Sequence, residues 1–434
     1  MRRRIEAFVS YYLRFNPMFR SRLANVLEVK NWDYSKIKEK QNELFLKIFN
    51  CAVSQSSFYK KLYSEYGVNI NDIKSIEDIH CLPIISRNQI KNHISDIFIG
   101  NRFFRTKGQT SGTSGTPLTV YRDYSSILTE GAYVWAQRHL FGFHPGMKVI
   151  SLRGDLSRDE VKRYDPYLNC LYLSSYNLRE DNTLFYHSEI EKFEPQAILA
   201  YPSSVEVLAN FFMAKGLTLN VPLIFTSSEQ LYDHQRVKVE TAFNSKIVDW
   251  YGNAERTIAI EQRNDGFYYE LPLYSFNEYK EDHTITTGLI SSAFPLIRYE
   301  VNDIIKQEKE KEKKGKSQFK IDSILGRQDD ILLLPDGTRL GRIGRVFMEV
   351  EGLELAQVHQ KVQDSFAVNL VVNKYFNEQS VSKIHEKLSK LGGNQLRYDI
   401  NYVQNQDIIR TRAGKYKLVI NEISETTEKG QVTI

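Results

Sequence analysis

Cysteine is scarce in this chain: three residues in 434, Cys51, Cys81 and Cys170. No two lie close enough to form a CxxC pair, so neither a disulfide framework nor a zinc site follows, and a reducing cytoplasmic setting fits. No run of about 18 apolar residues is present, which excludes an ordinary transmembrane helix. A strong charge of one sign is also missing. The formal net charge is +5 over 58 basic and 53 acidic residues, too small for its length to imply nucleic acid as a partner. No internal repeat is evident, and the Walker A pattern GxxxxGK[ST] does not occur. The remainder is ordinary globular composition, 41% hydrophobic and 26% charged, with enough length for a large domain and a smaller one.

At the N-terminus, Met1-Arg2-Arg3-Arg4 starts like a signal peptide, but Tyr11, Tyr12 and Arg14 interrupt any apolar core. Ile5, Phe8, Val9, Tyr12 and Phe15 fall at helical spacing before Pro17, which is expected to stop the helix. Such a basic, aromatic helix can dock on the protein's own body or make peripheral contact with an anionic membrane through residues 1–17. Asp33 to Gln55 reads as a capped amphipathic helix. From about residue 118, short apolar runs alternate with helical ones. Lys148–Leu152, Ala197–Tyr201, Pro222–Thr226 and Lys246–Trp250 read as strands, with a helix from Ser203 or Ser204 to Gly216. This alternation predicts an α/β fold: a large layered N-terminal domain over 1–328 and a small mobile α+β domain over 329–434. The lysine-glutamate run at 308–316 is expected at a solvated hairpin tip. In the smaller unit, Phe366–Val372 and Leu396–Tyr402 read as strands around a helix from Ser380 to Leu391.

The strongest signal is Gln109-Thr110-Ser111-Gly112-Thr113-Ser114-Gly115-Thr116-Pro117. Its glycines let backbone N–H groups line a concave anion nest, and its hydroxyls add donors to phosphate oxygens. Alone, such a run also reads as a plain surface loop. Four further clusters follow in the large unit: Ser227-Ser228-Glu229, Tyr251-Gly252-Asn253-Ala254-Glu255, Arg298-Tyr299-Glu300-Val301-Asn302-Asp303 and Gly326-Arg327-Gln328-Asp329-Asp330. Arg410 to Lys415 completes the set. ATP-dependent activation of a carboxylic acid needs these parts. Thr110, Ser111, Gly112, Thr113, Ser114, Gly115 and Thr116 can cradle a triphosphate. Glu255 can hold Mg²⁺, a hard cation that prefers oxygen. Tyr251 can stack on a purine, Asp303 and Arg327 can reach the ribose, and Lys415 can meet charge that develops during attack on the α-phosphorus.

The ordered series Thr-Ser-Gly-Thr-Ser-Gly-Thr-Pro, Tyr-Gly-x-x-Glu, Arg-Tyr-x-x-x-Asp, Gly-Arg-x-Asp-Asp and a late Gly-Lys resembles the adenylate-forming superfamily. That superfamily includes acyl-CoA synthetases, luciferases and peptide-synthetase adenylation domains. The likeness is greatest to the phenylacetate–CoA ligase branch and its capsular-polysaccharide relatives, and runs from about residue 40 to 422. The resemblance implies ATP and Mg²⁺ as cofactors, with Lys415 as the catalytic lysine and Glu255 as the metal contact. It places Glu229, Tyr251, Gly252, Asn253, Glu255, Asp303 and Arg327 around the nucleotide and Asp329 at the hinge of the small domain. The implied acceptor is an amine, a sugar or a thiol carrier, with CoA as the thiol alternative. Four departures stand out: Thr116 replaces the usual lysine, Ala254 a threonine, Asn302 a glycine, and the lysine-glutamate run a Cys-x-Cys-Gly pattern.

The acid pocket is expected between Tyr201-Pro202-Ser203 and Glu229 to Tyr251, with Tyr133 and Trp135 as walls or as core. No residue in those segments is an obvious clamp for a second charge on the acid. Rival readings are an aryl-CoA ligase, a nucleotide-binding scaffold that has lost its chemistry, and a membrane-docked assembly factor.

Overall fold

The structure, a computed structural model, describes residues 8–9, 11–101, 105–109, 118–157, 160–308, 319–327, 332–333, 339–340, 343–347, 350–392, 396–410 and 416–423. The phosphate-loop candidates Thr110 to Thr116, the hinge candidate Asp329 and Lys415 lie outside these residues.

Parallel pairing runs through β5 (Cys170–Leu173), β3 (Val149–Leu152), β6 (Ala197–Ala200), β7 (Leu223–Ser227) and β8 (Lys246–Gly252). Alternate residues face opposite sides. Ile150, Ile198, Ile224 and Ile247 join one core, while Val149, Ala197, Phe225 and Val248 join another. Burial on both faces explains why these strands read as continuous apolar runs. Helices Thr183–Phe193, Pro202–Ala214 and Asp233–Phe243 supply side chains to the first core. The Tyr124–Leu140 helix contributes Trp135 to the second core. Antiparallel strands β4 (Lys162–Asp165), β9 (Ala259–Gln262), β10 (Tyr268–Glu270), β15 (Lys320–Arg327) and β14 (Asp303–Gln307) extend the sheet to ten strands. Their order is β14-β15-β10-β9-β8-β7-β6-β3-β5-β4. β14 and β15 flank the lysine-glutamate run as an antiparallel pair.

A smaller sheet of β11 (Ser275–Tyr279), β12 (Thr284–Gly288) and β13 (Tyr299–Val301) packs through Tyr299 and Val301 against the N-terminal helices. One of these is Tyr34–Gln55, whose N-cap Asp33 accepts from the Lys36 N–H at 2.8 Å, as the sequence predicts. Pro17 does more than end a helix. It opens the next one, Pro17–Val29, at the first turn, where its missing N–H costs nothing. The helix expected from Ser203 begins at Pro202, and Gly216 beyond it takes the left-handed conformation.

β1 (Arg105–Gln109) and β2 (Thr119–Asp123) form a hairpin on either side of the hydroxyl-glycine run. A Cβ on Gly108 would sit 2.4 Å from the guanidinium carbon of Arg122, so a larger residue there would require that side chain to shift. In the C-terminal part, β18 (Leu353–Val362), β19 (Ser365–Val372), β20 (Arg397–Tyr402) and β21 (Val419–Asn421) form a four-stranded sheet. The Glu378–Gly392 helix covers it through Ile384 and Leu388. Leu355, Val371 and Ile408 reach across into the core of the large domain.

Candidate active site

The carboxyl ends of parallel strands in an open α/β sheet are where ligands bind, and Tyr251 and Glu255 lie at that end of β8, with Asp303 beside them. Tyr251 lies near the end of β8 and Glu255 in the turn beyond it. Tyr299 opens β13 and Asp303 opens β14. These two Tyr-x-x-x-acid segments exchange partners. The Tyr251 hydroxyl donates to Asp303 Oδ2 at 2.6 Å, and the Tyr299 hydroxyl donates to Glu255 Oε1 at 3.0 Å. Burial, followed by the neighbouring Glu255 carboxylate, holds the Tyr299 phenol well above its usual range, so it remains a donor. Arg87 stands 3.6 Å from the same Glu255 oxygen. In the backbone register Asp303 faces Arg327, which places that residue's main chain beside the site. Asn253 turns inward to the chain itself: its Oδ1 accepts from Thr257 N–H and its amide donates to Thr257 Oγ1.

Arg122 ties the β1–β2 hairpin to this turn by donating to the Ala254 carbonyl at 2.5 Å. The next residue but one, Arg256, adopts a left-handed φ of 59°, and its charge is felt at Arg122. Arg87, Arg122 and Arg256 were not among the sequence candidates. Arg256 directly follows Glu255 in the sequence, whereas only the fold brings Arg87 and Arg122 near it.

Glu229 occupies the seam between the two domains. Its Oε2 accepts from Ser203 N–H at 3.0 Å, at the start of the Pro202–Ala214 helix. Its Oε1 accepts from Tyr416 N–H at 3.1 Å, one residue beyond Lys415. An antiparallel bridge joins Tyr416 to Arg410. Burial lowers the Arg410 pKa, and Glu229 opposes that shift. Along the same seam lies a cavity of about 550 Å³, with Glu206, Tyr232, His234, Glu354 and Tyr416 in its wall.

Tyr201 caps the strand β6 edge and feels the charges of Arg153, Asp155 and Glu229. Tyr133 is buried and meets Tyr274 edge-to-face at 5.3 Å. Trp135 stacks on Phe143 at 5.7 Å and carries the Arg138 guanidinium 4.7 Å above its ring. Among the described residues, no group of three or more His, Cys, Asp or Glu side chains is placed to hold a metal.

Comparison with known proteins agrees with this architecture. The chain superposes on 2-hydroxyisobutyryl-CoA ligase in the postadenylation state with 2-HIB-AMP at a TM-score of 0.67, with 14% identity over 89% of this chain and 90% of that one. The same enzyme with 2-HIB-AMP and CoA in the thioesterification state gives 0.55 at 15% identity, covering 91% and 92%. Fold and homology point the same way: the chain has the fold of adenylate-forming CoA ligases and fits the adenylate-forming superfamily. Within it, the chain is homologous to Protein CapK of Staphylococcus aureus, at 25% identity over 89% of each chain. It is also homologous to the phenylacetate-coenzyme A ligase of Thermus thermophilus, at 22% identity over 71% of this chain and 74% of the relative. Residues 333–422 match the CapK C-terminal domain family.

Proposed function

We propose that the protein uses ATP to convert a carboxylic acid to its acyl-adenylate, releasing pyrophosphate, and then passes the acyl group to an amine or thiol acceptor in surface-polysaccharide synthesis. The observation that carries the activation step is the exchanged pair of phenol–carboxylate contacts, which holds Glu255 and Asp303 at one sheet edge. Asp303 would accept from the ribose hydroxyls. Glu255 would contact Mg²⁺ and phosphate, and a bound Mg²⁺ would neutralise phosphate charge. Thr110 to Thr116 would wrap the phosphates, and Arg122 would hold that hairpin against the Glu255 turn. Lys415 would stabilise charge growing between the acid and the α-phosphorus, and rotation about Asp329 would then clear the site for the acceptor. The better match to the postadenylation than to the thioesterification state of the hydroxyisobutyryl ligase supports a domain arrangement in which Tyr416 lies against the large domain.

Purified protein with ATP, Mg²⁺ and a panel of acids should release pyrophosphate, and mass spectrometry should find the adenylate. Silence across a broad panel would overturn the assignment. The homology to phenylacetate-CoA ligases favours one rival, an aryl-CoA ligase, which CoA-dependent formation of an aryl thioester would identify. The reading also includes work in the cytoplasm with peripheral membrane contact. Phe8, Val9, Tyr12, Leu13 and Met18 are all exposed near the arginine-rich start of the chain, which supports an interfacial role. Deletion of residues 1–17 should then reduce sedimentation with anionic vesicles.

A further inference from the structure

Arg138 and Arg153 stand out among the cations of the large domain. Arg153 directly follows β3, and Arg138 occupies the last turn of the Tyr124–Leu140 helix. The Arg138 guanidinium lies between two rings, 4.7 Å from Trp135 and 5.5 Å from Phe225. It is also close enough to feel the positive charge of Arg153. Both side chains are only partly exposed. Neither donates a hydrogen bond or makes an ion pair within 4.0 Å with any described residue, and Arg153 Nε is fully buried without a partner. Two like charges placed together and partly desolvated disfavour the protein on its own. Such an arrangement is expected where an anionic ligand supplies the missing partner.

The surroundings do not cancel the charge. Asp155 is the acidic group that bears on Arg153, and it already accepts from the Ser151 hydroxyl at 2.5 Å. Cys170 and Tyr201, also within electrostatic reach, have pKa values raised by burial and stay neutral. Among the described residues, two arginines against one aspartate leave one positive charge over. Tyr201 and the Phe225 ring place this charge beside the region where the acid is expected.

We propose that the acid activated here carries a second anionic group, a dicarboxylic acid being the simplest case, and that Arg153 and Arg138 bind that group while the other carboxylate reacts at the β8 end. The proposal rests on the acid-activation reading above. β3 and β8 are separated by β6 and β7, three strand spacings or roughly 14 Å. The arginine side chains cover part of that span, so the substrate would be a mid-length or aryl diacid rather than the shortest ones.

The test uses the full chain with ATP and Mg²⁺ and measures pyrophosphate release for length-matched pairs of diacids and their monoamides, aliphatic and aromatic. Diacids should exceed their monoamides by about 100-fold in kcat/KM, since a site built for a polar group rejects the analogue lacking it. Arg153→Gln should reduce that preference to within a few-fold, mainly through KM, and Arg153→Lys should restore part of it. Monoamides turned over by the wild type as well as diacids would overturn the proposal while leaving acid activation intact, even if no variant folds. An unchanged preference in a folded Arg153→Gln protein would also overturn it. No pyrophosphate from any acid would remove the activation reading, and this inference with it.

Discussion

The two ends of one sheet edge have opposite character. At the β8 side, two carboxylates face a prospective nucleotide, and each is held by a phenol from another strand. At the β3 side, two guanidiniums lie within electrostatic reach of each other, one of them over aromatic rings, and neither donates a hydrogen bond to any described residue. The first end is internally satisfied and therefore pre-organised, with little left to rearrange when a ligand arrives. The second is electrostatically incomplete, and a ligand would complete it. A site that positions with acids and selects with guanidiniums would divide catalysis from specificity along about four strands.

Five substitutions sharpen or break this contrast. Lys415→Ala should lower adenylation by about 100- to 1,000-fold while ATP affinity changes little. Equal losses in turnover and in ATP binding by calorimetry would show that the lysine is not specific to the transition state. Glu255→Gln should cost roughly 100-fold in pyrophosphate release and raise the Mg²⁺ concentration needed for half-maximal rate. An unchanged Mg²⁺ dependence would separate Glu255 from the metal. Asp303→Ala should weaken ATP binding by about 10- to 100-fold, as expected for lost hydrogen bonds to a charged group, with the order of acid preference unaltered. Asp155→Asn adds to the surplus charge at the β3 end and should improve kcat/KM for diacids by about 3-fold; a decrease would mean that Asp155 orients the arginines. Tyr251→Phe is mild as well. It frees one oxygen of Asp303 from its 2.6 Å contact and should change ATP affinity by about 3- to 10-fold.

The β8 end was far more legible in sequence than the β3 end. Tyr-Gly-x-x-Glu and Arg-Tyr-x-x-x-Asp are compact, so their types and spacing can be read before any fold is known. Their exchange of partners could not be, because it depends on β8, β13 and β14 meeting in space. The apolar strands and the capped Tyr34–Gln55 helix followed from periodicity. Arg138 and Arg153 gave no signal, one lying in a helix that reads as core and the other in a turn without a motif. No obvious clamp for a second charge was expected in the segments considered for the acid pocket. The candidate clamp comes from outside them. Asn253 also looked like a ligand contact, yet its amide is engaged with Thr257. Thr110 to Thr116 and Lys415 remain roles inferred from sequence.

Glu229 has one oxygen bonded to each domain, Ser203 N–H on one side and Tyr416 N–H on the other. Any swing of the tail module must break the second contact and return that oxygen to water or to a new donor. Breaking such a charge-assisted bond costs on the order of 1.5–3 kcal/mol, so this carboxylate would act as a catch that delays release of the lysine-bearing segment. Its strength would tune the interval for which a reactive adenylate stays shielded before the acceptor is admitted.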